Sequence, residues 1–302
     1  MRANVLRFGV DGVWGGEQSE SAGEARAATS KVPQVAIAFW IIKIAATTLG
    51  ETGGDALSMT MKFGYLLSTA IFMACFIAAL AVQIRAKKFH PFLYWTVIVT
   101  TTTVGTTMAD FADRSLGWGY VGGTAILFTL LMIVLGLWKY SVGSVSFSDI
   151  KTTKVEIFYW VTILFSNTLG TALGDFMADT NGVGFERGAL IFSGMLTLVA
   201  AEYFFTKLSH TVLFWTAFIL TRPLGATLGD LLTKPHANGG LDLSRISSSL
   251  VIGAFMVLCI SLMPQKAGDH PGADPIVVKY RNVASRSQWA LRDCPYRRVA
   301  VD

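Results

Sequence analysis

The sequence predicts an all-α integral membrane protein: eight transmembrane helices built as four tandem, parallel helical-hairpin repeats. Three observations carry this prediction. Of 302 residues, 52% are hydrophobic and only 15% are charged, whereas soluble domains carry about 25% charge. The apolar residues fall into stretches near 33–57, 62–84, 91–112, 117–138, 155–178, 185–206, 210–233 and 244–264, each close to the roughly 20 residues that a bilayer helix needs. Within alternate stretches, one short pattern recurs four times.

Taken in order, residues 1–32 are polar and mixed in charge, with no basic start followed by a short apolar run, so they read as an N-terminal tail and not a signal peptide. The repeats follow at about 33–86, 88–141, 153–206 and 208–264, and residues 265–302 form a polar tail that leans basic. Arg85, Lys87, Lys88 and Lys207 lie on the N-terminal side together with both tails, whereas Lys62, Arg114, Arg187, Lys234 and Arg245 lie opposite. By the positive-inside rule both termini face the cytoplasm. The expected location is a cell membrane crossed many times. The net charge of +5 then reads as a topology signal, and a nucleic-acid partner is not expected.

The repeated pattern reads TTLGETGGDAL at 47–57, TTVGTTMADFA at 102–112, NTLGTALGDFM at 167–177 and RPLGATLGDLL at 222–232. Anchored on Gly50, Gly105, Gly170 and Gly225, each copy has an aspartate five residues later: Asp55, Asp110, Asp175 and Asp230. Each copy also has a tryptophan ten residues earlier, at Trp40, Trp95, Trp160 and Trp215, preceded by Phe or Tyr. Agreement over such a length implies duplication. With two spans in every unit, the four motif helices run in one direction, unlike the inverted repeats of many transporters. The chain resembles bacterial multispanning proteins made of four copies of a short repeat of unknown function. The resemblance covers about 33–264 and implies an architecture without an activity.

Four residues after the anchors come Gly54, Ala109, Gly174 and Gly229. Small residues four apart share a helix face and let membrane helices approach closely. They are expected to pack motif helices against one another or against their hairpin partners. Beside that face runs a polar stripe at the same spacing: Lys43, Thr47, Glu51 and Asp55 in the first copy, Thr102, Thr106 and Asp110 in the second. The third copy continues it with Asn167, Thr171, Asp175 and Asp179, and the fourth with Arg222, Ala226 and Asp230.

An ionised carboxylate facing lipid costs about 2.5–3.5 kcal/mol even on a lenient scale, so the acids should face the interior, a water-filled cavity or the interface. The fifteen residues between each tryptophan and its aspartate span about 22 Å, which puts the acid toward the outer side if the tryptophan marks the cytoplasmic boundary. There the aspartates either converge on a shared vestibule or end their helices at the surface. Lys43 and Arg222 are candidate partners for Glu51, Asp110, Asp175 or Asp230, and Lys43 is the better suited to release a proton. Pro223 replaces a threonine of the other copies and frees the carbonyl of Ile219, either for a kink or for a cation. Asp113, Arg114, Asp179, Glu186 and Arg187 read as solvated loop charges.

The expected function is a transporter or channel for a hard cation or protons. Its site would comprise Asp55, Asp110, Asp175, Asp230 and Glu51, with Thr106, Thr171 and Asn167 as neutral oxygens. Scaffold or sensor is the alternative. An intramembrane aspartyl enzyme fits less well, because its Gly-x-Gly-Asp element fails at Ala172 and Thr227, so no enzymatic activity is expected. Cys75, Cys259 and Cys294, like His90, His210, His236 and His270, lack ligand spacing. No cofactor is expected, and the identity of any metal is open. The expected partners are the lipid bilayer and a small cation; the sequence does not define an oligomeric state.

Overall fold

The structure is a computed structural model that describes residues 33–86, 88–143, 145, 152–180 and 183–266. The tail expected at 1–32 and all but the first two residues of the tail expected at 265–302 lie outside the described residues, as do His270 and Cys294.

Eight long helices make up the described chain: α1 (Ile37–Asp55), α2 (Gly64–Arg85), α3 (Pro91–Asp110), α4 (Gly119–Val142), α5 (Thr153–Asp175), α6 (Phe185–Phe205), α7 (His210–Thr233) and α8 (Arg245–Leu262). Local chemistry sets several of the ends. Pro91 opens α3 at the first turn, where its missing N–H costs nothing. The hydroxyls of Thr152 and Ser244 cap α5 and α8 by accepting from the backbone N–H groups of Val155 and Ser247. Gly143, with φ 84°, closes α4 in the left-handed region.

The odd-numbered helices carry the repeated motif and close into a ring, α1 against α3, α3 against α5, α5 against α7, and α7 back against α1. The even-numbered helices form an outer sheath. Each packs on the motif helix of the following repeat: α2 on α3, α4 on α5, α6 on α7 and α8 on α1. A single repeat therefore buries its polar stripe only when its neighbours are present. Near the closure, the Gln34 N–H donates to the Lys266 carbonyl at 2.9 Å, and Trp95 Nε1 donates to Gln265 Oε1 at 2.8 Å.

Six of these helices are long and apolar enough to cross a membrane, including every sheath helix. The other two are α1, with Lys43, Glu51 and Asp55, and α3, with seven threonines among its twenty residues. Both are inner helices flanked by protein, so burial against neighbours replaces the requirement for apolar residues. The sheath turns large side chains such as Leu66, Ile133, Leu198 and Leu250 outward. That surface is consistent with a multi-pass membrane protein.

The motif tryptophans and the aromatic residues before them pack against the neighbouring repeats. Trp95 and Trp160 are 1% exposed, and the aromatic pairs form a closed internal ring. Phe39 contacts Trp95 at 5.5 Å, Tyr94 contacts Trp160 at 6.0 Å, Tyr159 contacts Trp215 at 6.4 Å, and Phe214 contacts Trp40 at 5.7 Å between centroids. In each case the aromatic residue that precedes one tryptophan packs on the tryptophan of the next repeat. Phe or Tyr rings pack on the indoles across the ring seams, which no single helix discloses.

A candidate ionic site inside the helix ring

The motif glycines position the site. A Cβ on Gly50 would strike Thr102, one on Gly105 would lie 3.1 Å from Asn167, one on Gly170 would lie 2.5 Å from Arg222 Cγ, and one on Gly225 would strike Thr47. The second small residues repeat this one turn on: Gly54 faces Thr106, Gly174 faces Ala226 and Gly229 faces Glu51. Ala109 is buried with Leu169 and Ala172 of the adjoining helix. The small residues thus lie between neighbouring motif helices, and the rising register of the contacts shows that those helices run parallel.

This packing stacks the polar stripes into four layers inside the ring. Beyond the aromatic ring come Lys43, Ile98, Ile163 and Phe218, then Thr47, Thr102, Asn167 and Arg222. Next are Glu51, Thr106, Thr171 and Ala226, and last Asp55, Asp110, Asp175 and Asp230. None of the sixteen is more than 3% exposed. In the second layer Thr47 donates to the Thr221 carbonyl and Thr102 to the Ala46 carbonyl, at 3.1 and 3.2 Å, while Asn167 Nδ2 donates to Thr101 Oγ1 at 3.2 Å. Each stitches its helix to the preceding one.

Arg222 crosses the ring. One guanidinium nitrogen meets Glu51 Oε2 of α1 at 3.2 Å and donates to the hydroxyls of Thr106 on α3 and Thr171 on α5. It therefore engages all three of the other motif helices, and Ala226, one turn along α7, is the smallest member of the layer it occupies. Thr106 also donates to Glu51 Oε2 at 3.1 Å. Of the partners weighed from the sequence, Arg222 thus pairs with Glu51. Among the described residues, Lys43 pairs with no carboxylate: its Nζ lies 4.1 Å from the centroid of Phe218 and has no hydrogen-bond partner.

The four aspartates are joined across two seams. Arg114 lies 3.1 Å from Asp110 and 3.7 Å from Asp175. Lys234 lies 3.2 Å from Asp230 and 3.5 Å from Asp55, which Arg245 Nε also approaches at 3.5 Å. Each bridging cation comes four residues after the aspartate of its own helix, so it stands one turn on, along the same face. The first and third repeats have Met59 and Asp179 at that register. Fourfold ancestry has become a twofold charge pattern, with repeats two and four supplying the cations.

Two sequence-based expectations are corrected here. Asp113 and Arg114 are not solvated: Asp113 is 6% exposed and lies where a side chain on Gly123 would sit, and Arg114 bridges two buried aspartates. Lys234 and Arg245, counted only as loop charges for orientation, belong to the ionic cluster. The four-residue spacing of Lys234 from Asp230, and its alignment with Arg114 and Asp110, was the signal that could have found Lys234; Arg245 offered none.

The aspartates also do not end their helices at the surface. In the first three repeats each is the last α-helical residue before a single π-helical turn, at Ala56–Thr60, Phe111–Ser115 and Phe176–Thr180. Such turns often accompany function. Pro223 lies within a continuous α7, its Cδ 3.2 Å from a Cβ built on Gly170, while the Ile219 side chain one turn earlier is 38% exposed. Among the described residues, Glu51, Asp55 and Asp230 form a group whose ligand oxygens lie within 4.8 Å of one another, compatible with a hard cation.

An apolar helical sheath around a buried ionic core defines a class of repeat proteins with the character of membrane proteins. The chain belongs to the family described as "Repeat of Unknown Function (DUF347)", which matches residues 38–89, 93–144, 158–209 and 213–263. Neither the curated proteins nor the solved structures give a significant match.

Proposed function

We propose that the protein spans a membrane eight times and transports a hard cation or protons through its inner helix ring. The observation that carries this reading is the polar column from the layer of Thr47, Thr102, Asn167 and Arg222 to the aspartate layer, enclosed by parallel helices, with the Lys43 amine buried beyond it. Intramembrane ionisable groups are expensive to keep and commonly mark ion pathways. The aromatic ring closes the Lys43 end, and Arg222 lies across the middle. Together they favour a transporter that must rearrange over an open channel. Lys43 is the group suited to exchange a proton, since an amine can lose its charge and a guanidinium does not.

The bridged aspartates favour a second reading, a scaffold or sensor in which the ion pairs only hold the repeats together. An enzyme is the weakest reading, because each aspartate pair shares a cation where an aspartyl catalyst needs a shared proton. Flux of Mn²⁺, Mg²⁺ and protons into proteoliposomes separates the readings. The transporter reading expects Asp110→Asn and Asp175→Asn to abolish flux while the protein stays folded. A scaffold would show no flux in the wild type.

A further inference from the structure

The two aspartate seams are chemically unlike. Arg114 is held from outside the cluster as well as within it: it donates to the Tyr65 hydroxyl at 3.1 Å and lies 5.9 and 6.0 Å from the rings of Tyr65 and Tyr120. Among the described residues, no ring or hydroxyl clamps the Lys234 side chain in this way. It stands at the C-terminal boundary of α7, directly before Pro235, and its contacts at the site are the carboxylates of Asp55 and Asp230. A single ammonium on a flexible stem is easier to move aside than a guanidinium held in a fixed plane.

The carboxylates around Lys234 are also the ones that meet. Glu51, Asp55 and Asp230 place ligand oxygens within 4.8 Å of one another, and the side chains of Asp55 and Asp230 are 2% and 3% exposed. Asp55 Oδ1 is buried and has no hydrogen-bond partner among the described residues, so this cluster holds an acceptor that none of them satisfies.

Charge narrows the class of ligand. Arg222 is buried and hydrogen-bonded across the ring, so its charge is fixed and offsets that of Glu51. The carboxylates of Asp55 and Asp230 then carry two negative charges, balanced by Lys234 and Arg245, whose side chains are 11% and 22% exposed at the rim. One divalent ion supplies the same charge at one point. Oxygen ligands suit Mg²⁺, Mn²⁺ or Ca²⁺, with water completing the shell.

We propose that Glu51, Asp55 and Asp230 form a binding site for a hard divalent cation, and that Lys234 and Arg245 are the tethered charges it displaces. The inference deepens the transport reading by placing the ion at the seam between the fourth repeat and the first. It makes Lys234 a built-in competitor that reoccupies the acids when the ion leaves, so the site never stands uncompensated.

The test uses the full chain in detergent with MnCl₂ as the probe. Titration calorimetry should show Lys234→Met binding Mn²⁺ at least about tenfold more tightly than the wild type, with binding lost when Asp55→Asn is added. No gain in Lys234→Met, or undiminished binding after Asp55→Asn, overturns the site. If Lys234→Met does not fold, the wild type decides: saturating Mn²⁺ should raise acylation of the Lys234 amine, read by mass spectrometry, and unchanged labelling overturns displacement. Binding without flux in proteoliposomes leaves this site intact and sinks transport, whereas Mn²⁺-independent proton flux without binding does the reverse.

Discussion

Arg222 and Glu51 are each the exception in their own layer, and they meet at 3.2 Å. The counterparts of Arg222 are Thr47, Thr102 and Asn167, and those of Glu51 are Thr106, Thr171 and Ala226. The two charges are thus one change made on neighbouring helices, with Ala226 as the small residue in the layer that the guanidinium fills. The pair should behave as a unit. Removing one member strands the other, at about 3–5 kcal/mol. Arg222→Met alone and Glu51→Gln alone are each expected to destabilise strongly, and the double variant to lose much less than the sum. Unfolding in detergent measures this, and simple additivity would show that the pair is not coupled.

The ring contacts give a second prediction. Gly225→Ala places a methyl group against Thr47 and is expected to weaken the α7–α1 seam by about 1–3 kcal/mol, the usual cost of overpacking. Gly136→Ala serves as the control, since nothing lies within 4 Å of the added atom and helix propensity should improve by up to about 1 kcal/mol. Equal effects at the two positions would contradict the packing of motif helices through their glycines.

Lys43 gives a third. Its buried amine lacks a hydrogen bond among the described residues, and the face of Phe218 returns about 2 kcal/mol against a burial cost of several. Lys43→Met should therefore raise the unfolding temperature while slowing proton-coupled flux. A fall of several degrees would mean that the amine has a partner holding the fold together, and flux that is independent of pH in the wild type would remove its role in proton exchange.

Arg114 gives a fourth. Arg114→Leu leaves Asp110 and Asp175 buried without their shared cation and should cost about 3–5 kcal/mol. Adding Asp110→Asn to that variant should recover part of the loss. Thermal unfolding compares the two, and no recovery would mean that Arg114 acts through packing and not through its charge.

Much of this architecture was legible in the sequence because duplication prints a register. The spacing of Gly50 and Asp55 from Trp40, met again three times, identified the motif helices, their common direction and the stripe that carries Glu51 and Asp110. What the register could not disclose is which surfaces face each other across a seam. Nothing local shows that Phe39 packs on Trp95, or Tyr94 on Trp160, across a seam. Lys234 and Arg114 look like loop charges because their partners, Asp55 and Asp175, come from the next repeat. The pairing of α8 with α1 likewise depends on ring closure, a long-range property with no local signal.

The most direct test of the central claim, that the ionic column is a transport path, is cation and proton flux into proteoliposomes containing the wild type or a folded Asp55→Asn, Asp230→Asn double variant. The account predicts flux of a divalent cation or of protons in the wild type and its loss in the double variant. Flux that survives neutralisation of both aspartates would contradict it.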